Sequence, residues 1–418
     1  MPSGVAGPER LKSVSAIVHS MTQLLFREDA YATSFVARVE AVQGAQVRLD
    51  RTLFYAEAGG QAADQGVLRW AGAEAQVTDV QKAAAEEDHH GVWHTLQGPL
   101  PPIGATVQGE LDWRRRYRHM QRHTGEHLLA QAFLRVNPAF RVVAVGMRSA
   151  QCTLDLEGLP GEADARAAEN VLAEIIRRNL KIKTFDVAQE ELPAFPLRRP
   201  PQVNGRVRLV GVRDHAGWWE MSACGGTHLR STAFAAPVVV LHHERIKGGL
   251  TRMTFMAGEE AGEFLGEHYR SAREAAQLLS VSPERLIERV QATLDEAARL
   301  RGELDRTRSE LATTYVRSAK ADPIGDGELR VVQVDHDALV TPALRALLAC
   351  PQTLGVVIAP DGRCGVTSTL TDRHAGKLLG AWLTQAGGRG GGKTELAQGQ
   401  AQDGAAFEAA VRQWREQS

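Results

Sequence analysis

His123-Thr-Gly-Glu-His127 and Cys224-Gly-Gly-Thr-His228 are the two stretches on which the reading of this sequence turns. Each carries two strong metal ligands four positions apart. Residues so spaced on a helix share a face, so His123 and His127 can aim at a single ion. Glu126, between them, is expected to point to another side. In the second stretch Gly225 and Gly226 separate the ligands, which fits a tight loop or a helix start better than a mid-helix pair. Three imidazoles and one thiolate suit tetrahedral Zn²⁺. Four protein ligands close the coordination sphere, the usual mark of a structural metal, whereas a catalytic zinc keeps one place for water or substrate. The sequence leaves both roles open. If the site is catalytic, Glu126 is a candidate proton acceptor. The His89-His90 and His242-His243 pairs have no matching partner motif and read as solvent-facing or structural.

Outward from these stretches the pattern is mixed α+β. Arg118 to Val136 reads as an amphipathic helix stopped by Asn137-Pro138, and Glu162 to Leu180 as another. Strand-like runs fall at 141–145, 152–156, 207–212 and 238–241. Upstream, from Phe35 to about Gly109, short apolar alternations separated by turn residues predict a small β-barrel-like domain. Within it lies Phe54-Tyr-Ala-Glu-Ala-Gly-Gly-Gln61, followed by Asp64 and Gly66. Adjacent glycines before a polar residue indicate a sharp turn where backbone approaches another group closely; a plain hairpin turn is the alternative.

Downstream, residues 258–320 are rich in Ala, Leu, Glu and Arg, and Pro283 divides them into two helices. In the second, Leu286, Val290, Thr293, Ala297, Leu300, Leu304, Thr307 and Leu311 advance by alternate steps of four and three. That stripe predicts a helical hairpin or coiled coil, open to use in a dimer. Beyond Asp322-Pro323 an α/β pattern returns, with strands at 329–334 and 354–358, helices at 341–349 and 372–386, and the run Gly387-Gly-Arg-Gly-Gly-Gly-Lys393. The expected organisation is an irregular extension (1–20), a β-barrel-like domain (21–109), an α+β metal-binding domain (110–257), a helical hairpin (258–320) and a C-terminal α/β domain (321–418).

Bulk properties agree with a multidomain globular chain. Its 418 residues correspond to roughly two to four domains. A formal net charge of −1 provides no global basic field, so a nucleic-acid partner would need local Arg and Lys clusters. No apolar run approaches the roughly 20 residues of a membrane span, and residues 1–20 lack a secretory apolar segment. Cys152, Cys224, Cys350 and Cys364 offer no disulfide framework, which predicts a reduced, cytoplasmic protein.

At the quoted residues the chain closely resembles the alanyl-tRNA synthetase editing domain and its free-standing relatives, the AlaX proteins. The family carries His-x3-His and Cys-Gly-Gly-Thr-His zinc motifs, standing here as His123/His127 and Cys224/His228. The upstream Gly59-Gly60-Gln61 turn and Asp64-Gln-Gly66 also match. Arg389-Gly-Gly-Gly-Lys393, with Ala397-Gln398 after it, resembles the synthetase's C-terminal domain, C-Ala. No counterpart of the aminoacylation domain is expected before Met21. The resemblance therefore implies a trans-acting deacylase of the long AlaX type, with Zn²⁺ as cofactor. Its substrate would be tRNA(Ala) mischarged with serine or, in some members, glycine.

The same resemblance makes Gly59, Gly60 and Gln61 substrate-binding candidates, Gln61 through hydrogen bonding in the pocket. An aminoacyl ester asks mainly for a positioned water and oxyanion stabilisation, which the amides of Gly225 and Gly226 can offer. The synthetase site has Thr directly before the second His, where this chain has Glu126, and Thr124 lies elsewhere on the helix. Recognition of a serine hydroxyl is therefore not carried over to Thr124. Arg114, Arg115, Arg116 and Arg118, with Arg122, form a basic cluster suited to acceptor-stem phosphates, or else a solvated helix start. Arg389 and Lys393 can approach tRNA backbone, and C-Ala resemblance implies tRNA binding, a homodimer through the C-terminal region, or both. The glycine run lacks Walker spacing, which argues against nucleotide hydrolysis. The competing function is a non-catalytic tRNA-binding module with a structural zinc. A metallopeptidase is disfavoured because His-Glu-x-x-His is absent.

Overall fold

Alternating apolar residues close the first sheet into a barrel. The structure, a computed structural model, describes residues 21–83, 91–201 and 205–418. The expected extension at 1–20 and the His89-His90 pair lie outside them. Strands β1 (Ser34–Gln43), β2 (Gln46–Leu49), β3 (Gly66–Trp70), β4 (Ala73–Lys82), β5 (Val92–Gln97) and β6 (Thr106–Leu111) pair in the closed order β1-β2-β5-β4-β3-β6. In β1, Phe35, Ala37 and Val39 are buried while Ser34, Val36 and Arg38 face out. With Val47, Leu68, Val77 and Val107 they fill the barrel, as the period-two pattern of a small barrel requires.

Asp112 ends the barrel and caps helix α1 (Trp113–Val136), its carboxylate accepting from the Arg115 N–H at 3.0 Å. The helix thus starts before the expected Arg118. Arginines rather than apolar residues occupy its first turn, so the hydrophobic period hid the beginning. Every residue of α1 from His119 to Ala130 is buried. Around it pack β7 (Val142–Gly146), β8 (Cys152–Leu156) and α2 (Glu162–Arg177), which ends short of Leu180 where Asn179 turns left-handed (φ 47°). An antiparallel three-stranded sheet follows from β9 (Ile182–Ala188), β10 (Arg206–Asp214) and β11 (Gly217–Ala223). Then β12 (Val238–Ile246) and β13 (Leu250–Ala257) complete the sheet β12-β13-β8-β7. Met120, Leu128 and Phe133 of α1 share one core with Leu154, Leu172 and Phe255.

The chain divides into two compact units, one ending at Ser271 and the other beginning at Ala272, a boundary crossed by α3 (Glu259–Leu278). The second unit contains α4 (Leu286–Ser318) and a six-stranded sheet. Its strands are β14 (Ala321–Ile324), β15 (Gly327–Gln333), β16 (Thr353–Ile358), β17 (Arg363–Ser368), β18 (Arg389–Gly392) and β19 (Leu396–Gln400). They lie in the order β14-β15-β16-β17-β19-β18. The parallel pair β15 and β16 is bridged by α5 (Val340–Leu348), while α6 (Ala375–Gln385) and α7 (Gly404–Glu416) follow. The glycine-rich run becomes β18, an edge strand. A Cβ at Gly392 would meet Leu396 O at 2.3 Å, so close pairing with β19 requires glycine there. The molecule is mixed α+β, as expected. Among the described residues no helix is long and apolar enough to cross a membrane.

Candidate metal centre

The helix and the Gly-Gly loop bring their four ligands together. Donor atoms of His123, His127, Cys224 and His228 all lie within 4.8 Å of one another. Cys224 Sγ is 3.3 Å from both His123 Nε2 and His228 Nε2. Three features shape the loop. Arg208 of β10 donates to the carbonyls of Cys224 and Gly226, both at 2.9 Å. The Gly226 N–H donates to Cys224 Sγ at 3.4 Å. A Cβ at Gly226 would fall 2.1 Å from His123 Cε1, so only glycine lets the loop pass the imidazole.

Each histidine is held from behind. His123 Nδ1 hydrogen-bonds Gln61 Oε1 at 2.8 Å, and His228 Nδ1 meets Thr124 Oγ1 at 3.3 Å. His127 Nδ1 lies 3.3 Å from the buried Glu220 carboxylate. All three rings therefore keep Nε2 for the common centre, an arrangement that orients imidazole ligands and raises their basicity. Thr124 also accepts from the Leu229 N–H, and Ser222 Oγ donates to Glu220 at 2.5 Å. The donor set suits Zn²⁺: burial opposes a Cys224 thiolate, but His123 and His228 outweigh it and hold the thiol well below its ordinary value. Burial and the neighbouring His123 push His228 well below the usual imidazole range, keeping it neutral. For His127, burial acts downward, yet Glu220 and Cys224 hold it up at about 10. A metal binding there would displace that proton.

The cluster forms one wall of a cavity of 970 Å³, at the upper end of ligand-site sizes. Arg27, Lys82, Arg198, Arg199, Arg206 and Arg208 line it, along with the ion pair Arg141–Glu157. Glu126 lines it too. Its carboxylate is 3.7 Å from His127 Nε2 and 3.7 Å from Arg198 Nη1, which corrects the expectation that it points elsewhere. Glu126 stands three residues after His123, and on a helix that spacing shares a face as well. Among the described residues, Arg27, Lys82, Arg199 and Arg206 have no carboxylate partner.

Other expected positions fall differently. Gln61 is buried behind His123, its Nε2 donating to Thr227 Oγ1 at 2.9 Å, so it braces the ligands instead of lining the cavity. Gly59 lines the cavity, whereas Gly60 (φ 85°) packs against Val145. Of the two candidate oxyanion amides, Gly226 is taken by Cys224 Sγ, which leaves Gly225 on the cavity wall. Arg116 is not available to RNA. Its guanidinium is fully buried on Asp64 and donates also to the carbonyls of Ala30 and Leu53. Arg115 donates to Ala63 O, Arg114 and Arg118 pair with Glu263, and Arg122 with Glu260. The basic cluster at the start of α1 is thus a set of intramolecular ties. Arg389, which opens β18, and Lys393, just after it, are exposed. Sequence reasoning missed Glu220, Arg198, Arg208 and Thr227. Glu220 had a signal, a lone carboxylate inside the apolar run Trp218-Trp219-Glu220-Met221; Arg198 had none.

Fold and site together define an α+β protein with a barrel, a His3Cys cluster shared by a buried helix and a Gly-Gly loop, and a basic cavity beside it. The chain is similar to alanyl-tRNA synthetases. Residues 18–115 match the family described as tRNA synthetases class II (A), and residues 207–254 match the threonyl and alanyl tRNA synthetase second additional domain. Similar curated proteins include the alanine--tRNA ligase of Pyrobaculum aerophilum, 32% identical over 90% of this chain and 42% of that one. That of Pyrococcus abyssi is 34% identical over 91% of this chain and 42% of that one. The chain therefore spans less than half the length of these relatives. The crystal structure of the C-Ala domain from Aquifex aeolicus alanyl-tRNA synthetase overlaps 23% of this chain and 96% of that one, at 20% identity and a TM-score of 0.21.

Proposed function

We propose that this chain hydrolyses in trans the ester bond of tRNA(Ala) mischarged with serine or glycine, working in the cytoplasm to protect translation. The observation that carries this reading is the His3Cys cluster set into the wall of a large cavity whose charged lining residues are mainly cations. His123, His127, Cys224 and His228 would hold Zn²⁺, which when bound supplies a Lewis acid for an ester carbonyl or a water. Water adds to the carbonyl carbon, the bond to the ribose oxygen breaks, and the amino acid and tRNA separate. Glu126, facing the cavity beside the ligands, accepts the water's proton and returns it to the departing ribose oxygen. Gly225 lines the cavity beside the ligands, and its amide takes the developing oxyanion. Arg27, Lys82, Arg199 and Arg206 hold terminal phosphates of the RNA. Gln61, Thr124 and Glu220 act through the ligands they orient.

The test is to incubate the purified chain with Ser-tRNA(Ala), Gly-tRNA(Ala) and Ala-tRNA(Ala), with metal content measured on the same sample. Selective release of serine or glycine is expected; equal, negligible hydrolysis of all three with zinc bound sinks the proposal. Glu126→Gln should lose turnover while retaining metal. The closed set of four ligands favours one alternative, a tRNA-binding module whose zinc is structural. Tight tRNA(Ala) binding without turnover would identify it.

A further inference from the structure

A site that clears seryl and glycyl esters but spares alanyl ones cannot work by size, because the alanine methyl lies between the other two side chains. In an apolar pocket one methylene more or less separates substrates only about 10- to 200-fold. A site built to hydrogen-bond a hydroxyl rejects the analogue without it far more strongly. The hydroxyl therefore has to be read by polar groups facing the cavity. Thr124 is engaged by His228 Nδ1 and the Leu229 N–H, and Thr227 by Gln61. Among the described residues lining the cavity, two carry a hydroxyl, Tyr55 and Ser222. Tyr55 donates to Ala58 O on its own loop. Ser222 lies near the end of β11, two positions before the ligand Cys224, or about 7 Å along extended chain. A seryl hydroxyl is a few bonds from its ester carbonyl, so an ester beside the ligands brings it to Ser222.

We propose that Ser222 and Arg198 together read the side-chain hydroxyl of a seryl ester, an assignment that rests on the hydrolysis proposed above. Ser222 is 7% exposed, donates its proton to Glu220 at 2.5 Å and accepts from Arg198 Nε at 3.1 Å. A hydroxyl oxygen has two lone pairs, so one remains, and toward the cavity Ser222 can only accept. Nε and Nη2 form one edge of a guanidinium and donate side by side. Arg252 uses that edge on Asp155, and Arg122 on Glu260. In Arg198 the edge is half used: Nε holds Ser222 and Nη1 turns to His127 O at 3.4 Å, while Nη2 donates to no group among the described residues. The Arg198 N–H donates to Met221 O at 2.9 Å, which fixes the side chain beside β11. An oxygen next to Ser222 Oγ would take the Nη2 proton and give its own to Ser222. A hydroxyl does both. An ammonium group cannot accept, and the guanidinium repels it, so the substrate's amino group is kept from this corner. With a glycyl ester a water fills the same place and satisfies both partners. An alanyl methyl displaces that water and leaves Ser222 and Arg198 unpaired.

The zinc-loaded full chain is tested by binding and by turnover, with metal content measured on each sample. The binding probes are ribonucleosides carrying a seryl, glycyl or alanyl group through an amide in place of the ester. Wild type should hold the seryl probe about 10- to 100-fold more tightly than the alanyl one, and Ser222→Ala should abolish that difference. In turnover, Ser222→Ala and Arg198→Met should each lower kcat/KM for Ser-tRNA(Ala) about 100-fold more than for Gly-tRNA(Ala). Ser222→Thr keeps the hydroxyl and should keep the preference. Equal binding of seryl and alanyl probes by wild type overturns the inference. So does an equal fall for both substrates in Ser222→Ala, since Ser222 then only supports Glu220. Seryl-selective binding without hydrolysis sinks the hydrolysis reading and upholds the hydroxyl reader, so the two fail separately.

Discussion

Helices α1 and α4 distribute their residues in opposite ways. Between His119 and Ala130, α1 buries everything, including Gln121, Arg122, Thr124 and Glu126. Between Leu286 and Leu311, α4 buries nothing, although leucines and a valine lie along it. Burying a polar group costs free energy unless a partner receives it. In α1 most partners are present. Gln121 donates to Phe234 O and accepts from the Glu259 N–H, Arg122 is held by Glu260, and Arg116 by Asp64. His119 is the exception: among the described residues neither ring nitrogen has a hydrogen-bond partner. The polar interior of α1 is thus tied to neighbouring elements, while α4 between Leu286 and Leu311 leaves its apolar residues unburied.

The most severe way to break this contrast is at the cluster itself. Cys224→Ala should remove metal and reduce Ser-tRNA(Ala) hydrolysis to background; full activity in a metal-free sample would dismiss the site. Asp64→Ala leaves Arg116 buried without its countercharge and should cost about 3–5 kcal/mol in urea unfolding. An unchanged midpoint would mean that water reaches the pair. Glu220→Ala removes the support of His127 and should weaken metal affinity about 10- to 100-fold in chelator competition.

The unpartnered histidine makes α1 sensitive to acid. Burial, then Arg122, Arg115 and Arg116, push His119 down from 6.5 to about 3. The unfolded chain takes up this proton first. Stability is therefore complete above pH 6.5 and falls by about 1.4 kcal/mol per unit as pH drops toward 3. His119→Leu should flatten that part of the acid limb, and an identical limb in the variant would remove His119 from the account. The smallest effect belongs to α4. Leu304→Gln should change unfolding of the chain by no more than about 0.5 kcal/mol. A larger loss would show that the stripe packs within the chain.

Legibility followed periodicity. The barrel strands were readable because Phe35, Ala37 and Val39 alternate, and the heptad of α4 because its steps repeat over many turns. Pairing His123 with His127 needed only helical geometry. The start of α1 was obscured by its arginines, which the sequence left open between phosphate contacts and a solvated helix start and which the structure ties to carboxylates and carbonyls of the same chain. Nothing local reveals that Arg116 is fully buried or that Glu259, Glu260 and Glu263 occupy its neighbours. Glu126 was misplaced by attending to the i,i+4 pair and neglecting the i,i+3 one.

By itself the sequence determined the ligand types, their spacing, the barrel alternation and the heptad, because each depends only on the repeat of a helix or strand. Tertiary structure decided which charges pair within the fold and which face the cavity without a carboxylate partner among the described residues. It joined Gln61 to Thr227 across 166 positions, placed Glu220 behind His127, and gathered Arg27, Lys82, Arg199 and Arg206 at one cavity. Those pairings join residues far apart along the chain, where no periodicity reaches, and burial makes each partner obligatory once the chain has folded.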